Sequence, residues 1–337
     1  MKDITFVVPC YNAEAYMKRC LDSLLFCGEE GEIIIIDDGS TDNTGEIAEE
    51  YAAVYPNIVT VVHKTNGGHG SGINAGLKIA SGRFFKVVDS DDWLDRRALE
   101  VLMRRLKQQK DSVDMVVCNY IYDHLYENRQ KTVCFRNVFA QERVCGWKDM
   151  GFLKPSQYLV MHALIFRTAL LQESGVKLPA HTFYVDNLFA YKPLPYVERI
   201  LYLDIDLYHY FLGREDQSVN EASYMRRIDQ QIAVTKLVAD CVDLERVKHK
   251  SRKLSRYMLR NISIMMSISS IYLCMIGTAE ALRKRSALWE YVKKKDVLLY
   301  RRRRFTTLSG LTYLPGKLGR ALLLKGYEAA KKTCQFS

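Results

Sequence analysis

The sequence contains no CxxC pair. Its nine cysteines lie scattered at positions 10, 20, 27, 118, 134, 145, 241, 274 and 334. An odd, scattered set excludes a zinc ribbon or a disulfide framework and predicts reduced thiols, as in a cytosol. The first residues, MKDITFVVPC, lack the charged, long-apolar, small-residue succession of a signal peptide, so no export is expected. A glycine-rich stretch, NGGHGSG (Asn66 to Gly72), matches neither GxxxxGK[ST] nor GxGxxG, which argues against a P-loop ATPase and a Rossmann dehydrogenase. No internal repeat, low-complexity linker or nucleic-acid-binding motif is present, so nucleic acid is not an expected partner. Acidic residues are scarce towards the C-terminus: between Arg283 and Arg304 ten cations face only Glu290 and Asp296. Long uncharged runs are also rare. The exception, Asn261 to Ala279, approaches the length of a membrane span, but Ser263, Ser267 and Ser270 form one small polar stripe on it. A packed bundle helix, a helix on a bilayer surface and a true span are all compatible with that run.

What is present is an ordinary apolar and charged balance over 337 residues, 48% hydrophobic and 26% charged with a net charge of +10. The first third repeats short apolar strand, polar loop and amphipathic helix, the pattern of parallel βαβ construction. Strand Ile4 to Val8 ends at Pro9, and Asn12 is expected to cap a helix carrying Met17, Leu21, Leu24 and Leu25 on one face. Strand Ile33 to Ile36 ends in Asp37 and Asp38, and GSTDNT leads to a helix with Ile47, Tyr51 and Val54 inward. Strand Ile58 to Val62 runs into the glycine loop, and the next helix buries Ile73, Leu77 and Ala80 until Gly82 stops it. A fourth strand, FFKVVDSDDWLD (Phe84 to Asp95), leads to a helix capped by Asp95 and buried through Leu99, Leu102 and Leu106. Beyond it come a strand from Met115 to Asn119, antiparallel strands up to Gly151, an apolar block from Tyr158 to Phe166 and a strand from Ile200 to Phe211. From about Ser223 the chain reads as helical and basic, with a boundary near Asn220.

In such a sheet ligands lie beyond the carboxyl ends of the strands. Pro9, Tyr11, Asp37, Asp38, the Asn66 to Gly72 loop and Asp89 to Asp92 all fall at that edge. Asp89, Asp91 and Asp92 crowd negative charge at one strand end, which costs stability unless a cation or donors absorb it. The D-x-D pair Asp89 and Asp91 offers hard oxygen ligands for Mg2+ or Mn2+ shared with nucleotide phosphates. The plainer reading is a cap for the helix that starts near Arg96. Asp37 and Asp38 are suited to hydrogen bonds from a base or ribose, and Ser40, Thr41 and Asp42 also read as turn and cap residues.

Together, FVVPCYNAEAYMKRCLDSLL, IIIIDDGSTDNT, NGGHGSGINAGLKIASG and FFKVVDSDDWLD resemble the family 2 glycosyltransferases of GT-A fold. The resemblance covers residues 1 to about 110 with four motifs in order and extends more loosely to about 220. It implies an α/β, Rossmann-like, mostly parallel central sheet flanked by helices and followed by a C-terminal helical region. Residues 1–220 would form the nucleotide-sugar-binding and catalytic domain, and 221–337 a basic helical region. It also implies a metal-dependent, inverting transfer from a nucleoside diphosphate sugar, with a UDP-sugar favoured. Pro9, Tyr11 and Asp38 match the positions that cradle the nucleoside, with Asp38 contacting the base, and Asn66 belongs to the same nucleotide site. Asp89 and Asp91 match the metal and diphosphate motif. Asp186 in FYVDNLF stands where the family carries its catalytic base, although Val185 replaces the usual preceding glutamate. Arg214 in GREDQSV is implied as a diphosphate contact, with a surface salt bridge as its equal alternative, and the missing QxxRW motif points to single-sugar transfer.

His69 and His209 are further candidates for a role at the site. Trp289, Tyr291, Leu298, Leu299, Tyr300 and Phe305 interleave with cations, a pattern suited to an anionic bilayer carrying a lipid-linked acceptor, with a solvated helical face as the plainer alternative. The expected setting is therefore cytoplasmic, at the inner face of the plasma membrane, in surface-polysaccharide assembly on a carbohydrate or lipid-linked acceptor. Two other readings remain: a nucleotidyltransferase, and a non-catalytic nucleotide-sugar-binding membrane scaffold.

Overall fold

A computed structural model describes the chain except for residues 1, 110–112, 125–128, 156, 214–220, 296–309, 311, 315 and 335–337 and the side chains of 330–334. The chain forms two compact units, 1–213 and 214–337.

In the first unit, β1 (Ile4–Cys10) and β2 (Gly31–Asp37) pair in parallel from Ile4 opposite Gly31 to Cys10 opposite Asp37. Both are continuous apolar runs because helices cover both faces of the sheet. Next to them lie β3 (Val59–His63), parallel to β2, and β4 (Phe84–Val87), parallel to β1. The crossovers are α1 (Met17–Leu24), α2 (Thr44–Val54) and α3 (His69–Ile79). After β5 (Trp93–Leu94), α4 (Arg96–Gln108) starts at Asp95, whose side chain accepts from the Ala98 N–H at 2.8 Å.

The rest of the sheet is mixed. It is built from β6 (Met115–His124), β7 (Arg129–Val133), β8 (Val144–Cys145), β9 (Leu164–Arg167) and β10 (Ile200–Phe211), with short helices α5 (Thr168–Glu173) and α6 (Asp186–Tyr191) between β9 and β10. Strand order is β3-β2-β1-β4-β9-β6-β10-β5, with β9 antiparallel to both β4 and β6, and β10 parallel to β6. The insertion of β9 joins a parallel half to a curled, mainly antiparallel half.

Three local expectations are corrected. Asn12 does not cap α1, which begins at Met17. Asn12 adopts φ +48° and its Oδ1 accepts from Thr41 N–H at 2.8 Å, tying the first two strand-end loops together. Val54 is not inward but 68% exposed, as the last residue of α2, whose buried residues Thr44, Ile47 and Ala48 all lie in its first half. Gly82 does not stop α3, which ends at Ile79. A Cβ at residue 82 would lie 2.5 Å from Ile4 C and Thr5 N, so glycine is required by backbone approach.

The second unit is helical: α7 (Glu221–Arg226), α8 (Ile228–Asp240), α9 (Leu244–Lys250), α10 (Arg252–Ile276), α11 (Ala279–Lys295) and α12 (Gly316–Cys334). Helix α10 packs against α8, α9, α11 and α12. Ser251 caps its start and Gly277, at φ +70°, ends it. Its serines are packing groups: Ser263 and Ser267 bond back to the carbonyls of Leu259 and Ser263, and Ser270 accepts from the buried Trp289 indole at 3.1 Å. Helix α10 is long and apolar enough to cross a membrane, and half of that window is buried within the fold.

Candidate active site

At the carboxyl end of β2, Asp38 is only 3% exposed. Its carboxylate accepts from the N–H groups of Gly67 at 3.0 Å and Gly68 at 2.6 Å and pairs with Lys64. Asn66 donates to the Asp38 carbonyl at 2.9 Å. Two of the residues expected at a nucleotide therefore also organise the glycine loop, and Asp38 turns its acceptors into that loop. Pro9 is buried beside Gly72, whereas Tyr11 stands 54% exposed at the same edge.

The shaped loop receives a distant segment. Gly68, at φ +79°, leaves room for His181, whose N–H donates to Gly67 O at 2.6 Å. Asn74 of α3 holds Leu178 at both its carbonyl and its N–H, at 2.8 and 3.0 Å. These bonds hold the segment that leads into α6, whose first residue is Asp186. His181 and Tyr184 have φ of +48° and +65°, strain that the docking contacts sustain.

Asp89 follows β4 between two histidines. His69, the first residue of α3, lies with Nε2 2.7 Å from Oδ1, and His162 Nε2 lies 3.5 Å from Oδ2. Burial opposes ionisation of Asp89, but the positive charges of His69 and His162 outweigh it and hold its carboxyl well below the usual range. Asp92 is fully buried and accepts from Tyr208 Oη–H at 2.6 Å and Phe211 N–H at 2.8 Å. Burial, and then the charges of Asp91 and Asp89, push the Asp92 carboxyl well up. Lys86, also fully buried, donates to the His162 carbonyl at 2.7 Å and faces the Tyr208 ring at 4.9 Å; burial pulls it down to about 8. Positive groups thus surround the carboxylates that the sequence crowds together.

Asp186 is electrostatically coupled to this centre. Burial raises its carboxyl, the charges of His162 and His69 lower it, and Asp89 raises it further, with a net upward shift. Asp186 heads α6 rather than capping it, since the cap position is Val185. Asp91 lies in the turn after Asp89, and its carbonyl accepts from Arg19 at 2.9 Å. Among the described residues, Asp89, Asp92 and His162 bring ligand atoms within 4.8 Å of one another, and an oxygen beside a nitrogen donor suits a divalent cation. His209 instead stacks on Trp93 at 4.9 Å and pairs with Asp123 at 3.0 Å, a packing role. Arg214, Leu298, Leu299, Tyr300 and Phe305 lie outside the described residues.

The sequence motifs do not single out His162, Lys86 and Tyr208. The signals that the first two do leave are a lone histidine in the apolar run LVMHALIF and a lysine inside the strand FFKVV.

Comparison with known proteins gives the family and the fold. The family profile described as Glycosyl transferase family 2 matches residues 5–160. Glycosyltransferase GlyG of Streptococcus pneumoniae serotype 4 is 40% identical over 215 residues, covering 56% of this chain and 70% of GlyG. Putative glycosyltransferase EpsH of Bacillus subtilis is 27% identical, covering 61% of this chain and 60% of EpsH, so the chain spans less than two thirds of that relative. Among solved structures, S. aureus TarS 1-349 in complex with UDP-GlcNAc superposes with a TM-score of 0.68 at 21% identity, covering 99% of this chain and 92% of that one. The sheet and its flanking helices are those of the GT-A fold.

Proposed function

Because the chain belongs to glycosyl transferase family 2, we propose that it moves a single sugar, with inversion, from a nucleoside diphosphate sugar to an acceptor hydroxyl. The observation that carries this reading is the placement of Asp186 at the head of α6, on the segment docked to the glycine loop and to Asn74, as a partly buried carboxyl whose pKa is raised beside Asp89, His69 and His162. A general base needs such tuning towards the working pH. Asp186 accepts the proton of the acceptor hydroxyl as its oxygen attacks the anomeric carbon from the face opposite the leaving group. No covalent sugar–enzyme intermediate is required. The strand-end loops at Pro9, Tyr11, Asp38 and Asn66 bind the nucleoside, and Asp89 and Arg214 orient the diphosphate. Asp89 with Asp91 or His162 would hold a divalent cation, Mn2+ or Mg2+, whose chemistry there would be neutralisation of the diphosphate's negative charge.

UDP-sugars are the favoured donors, supported by the complex of the TarS fragment with UDP-GlcNAc. The acceptor is a carbohydrate or lipid-linked saccharide of surface-polysaccharide synthesis, met on the cytoplasmic face of an anionic membrane. Residues 1–220 would carry the chemistry and 221–337 the membrane contact. The test is to incubate the purified protein with UDP-, GDP-, dTDP- and CDP-sugars and saccharide acceptors, following nucleotide release and product anomeric configuration by NMR. A product of inverted configuration, lost in Asp186→Asn, is expected. Nucleotide binding without product under any acceptor, or product unaffected by Asp186→Asn, would overturn the reading.

A further inference from the structure

We infer that His162 supplies a nitrogen ligand beside Asp89, so that the centre prefers Mn2+ to Mg2+. The inference rests on the divalent cation proposed above and names which side chains hold it. The two oxygens of Asp89 meet their histidines at different distances. Oδ1 lies 2.7 Å from His69 Nε2, the length of a charge-assisted hydrogen bond, and Oδ2 lies 3.5 Å from His162 Nε2, too long for one. Two atoms bound to one cation by bonds of about 2.1 Å, at angles of about 90 to 110°, are about 3.0 to 3.4 Å apart. The wider gap is therefore close to the spacing of two ligands that share an ion.

His162 is also held in place for this. Its ring stacks on Tyr210 at 4.5 Å and 19°, its carbonyl is fixed by Lys86, and its side chain is 10% exposed. Asp92, the third member of the cluster, does not fit as a ligand. It is fully buried and both its oxygens are committed, to Tyr208 and to the Phe211 N–H. Tyr208 in turn accepts from the Asp89 N–H at 3.1 Å, so Asp92 supports the turn from behind. His69 is left as an outer hydrogen bond that orients Asp89. Mg2+ demands oxygen ligands in near-ideal octahedra, whereas a nitrogen donor favours a transition metal.

The experiment is pulsed electron paramagnetic resonance of the full chain loaded with Mn2+, with metal titrations alongside. Imidazole nitrogen coupling to Mn2+ is expected in the wild type and should change in protein labelled with the heavier nitrogen isotope in its histidines. It should disappear in His162→Gln and persist in His69→Gln. Mn2+ affinity should fall in His162→Gln by more than the roughly 10- to 100-fold that loss of an outer partner such as His69 costs, and the wild type's preference for Mn2+ over Mg2+ should shrink in that variant. Absent nitrogen coupling in loaded wild type, or coupling that survives His162→Gln, would overturn the assignment while leaving sugar transfer intact. Transfer that continues in chelator, with no Mn2+ bound, would overturn it together with the cation role but not the glycosyltransferase reading.

Discussion

A carboxylate serves as a base only when ionised, and the raised pKa of Asp186 fixes where that happens. Activity should fall as pH drops through the folded pKa, which lies above the ordinary aspartate value of about 3.9. The positive charge of His69 lowers the Asp186 pKa. His69→Gln should therefore move the acid limb of the kcat profile to higher pH, and a limb that stays in place would show that Asp186 is not the group being read. Asp186→Asn should lower kcat by about 100- to 10,000-fold, the usual worth of a positioned base, with little change in nucleotide affinity by calorimetry. Which acids gather is visible in the residue string: Asp89 stands at a strand end, and the FYVDNLF context suggests Asp186. Their partners are not visible there. His162 sits in an apolar run 73 positions after Asp89 and meets it only because β9 inserts beside β4, a pairing that no local periodicity encodes.

Elements differ in legibility for the same reason. Strands β1, β2 and β4 read directly because burial on both faces writes an uninterrupted apolar run. The ends of their helices read less well, since Val54 closes α2 beyond its buried residues and Gly82 is governed by how closely backbone approaches backbone. Gly82→Ala tests that argument. Its Cβ would meet main-chain atoms of Ile4 and Thr5, which cannot yield as a side chain can, so urea denaturation should report a loss of about 1–3 kcal/mol. Asn74→Leu probes the docked segment before α6 instead. It removes both hydrogen bonds to Leu178, and a drop in transfer larger than any drop in nucleotide affinity is expected. Equal losses in both would mean that Asn74 supports the nucleotide loop rather than the approach of Asp186.

At the scale of the molecule, charge is divided more sharply than the net +10 suggests. Residues 1–220 hold 24 Lys and Arg against 30 Asp and Glu, and residues 221–337 hold 25 against 9. So basic a segment suits contact with an anionic partner, and an anionic membrane is the one proposed. Helix α12 adds an apolar component, with Leu318 83% exposed and Leu322 65% exposed one turn apart, and with Lys317 and Lys325 nearby. Leucines over lysines suit insertion into a headgroup layer, where each cation contributes about 1 kcal/mol at an anionic surface. Flotation with phosphatidylglycerol vesicles should therefore recover the full chain, neutral phosphatidylcholine vesicles should not, and raised salt should release it. Leu318→Ser combined with Leu322→Ser should weaken binding at constant charge, which separates insertion from simple attraction. If vesicle binding ignores both salt and the leucines, the basic unit serves another partner, and retention on heparin or RNA columns would become the measurement to follow. One serine of α10 points the same way. Ser270, which accepts from Trp289 of α11, is engaged within the helical unit, and attachment through the surface predicts that alkaline carbonate strips the protein from membranes.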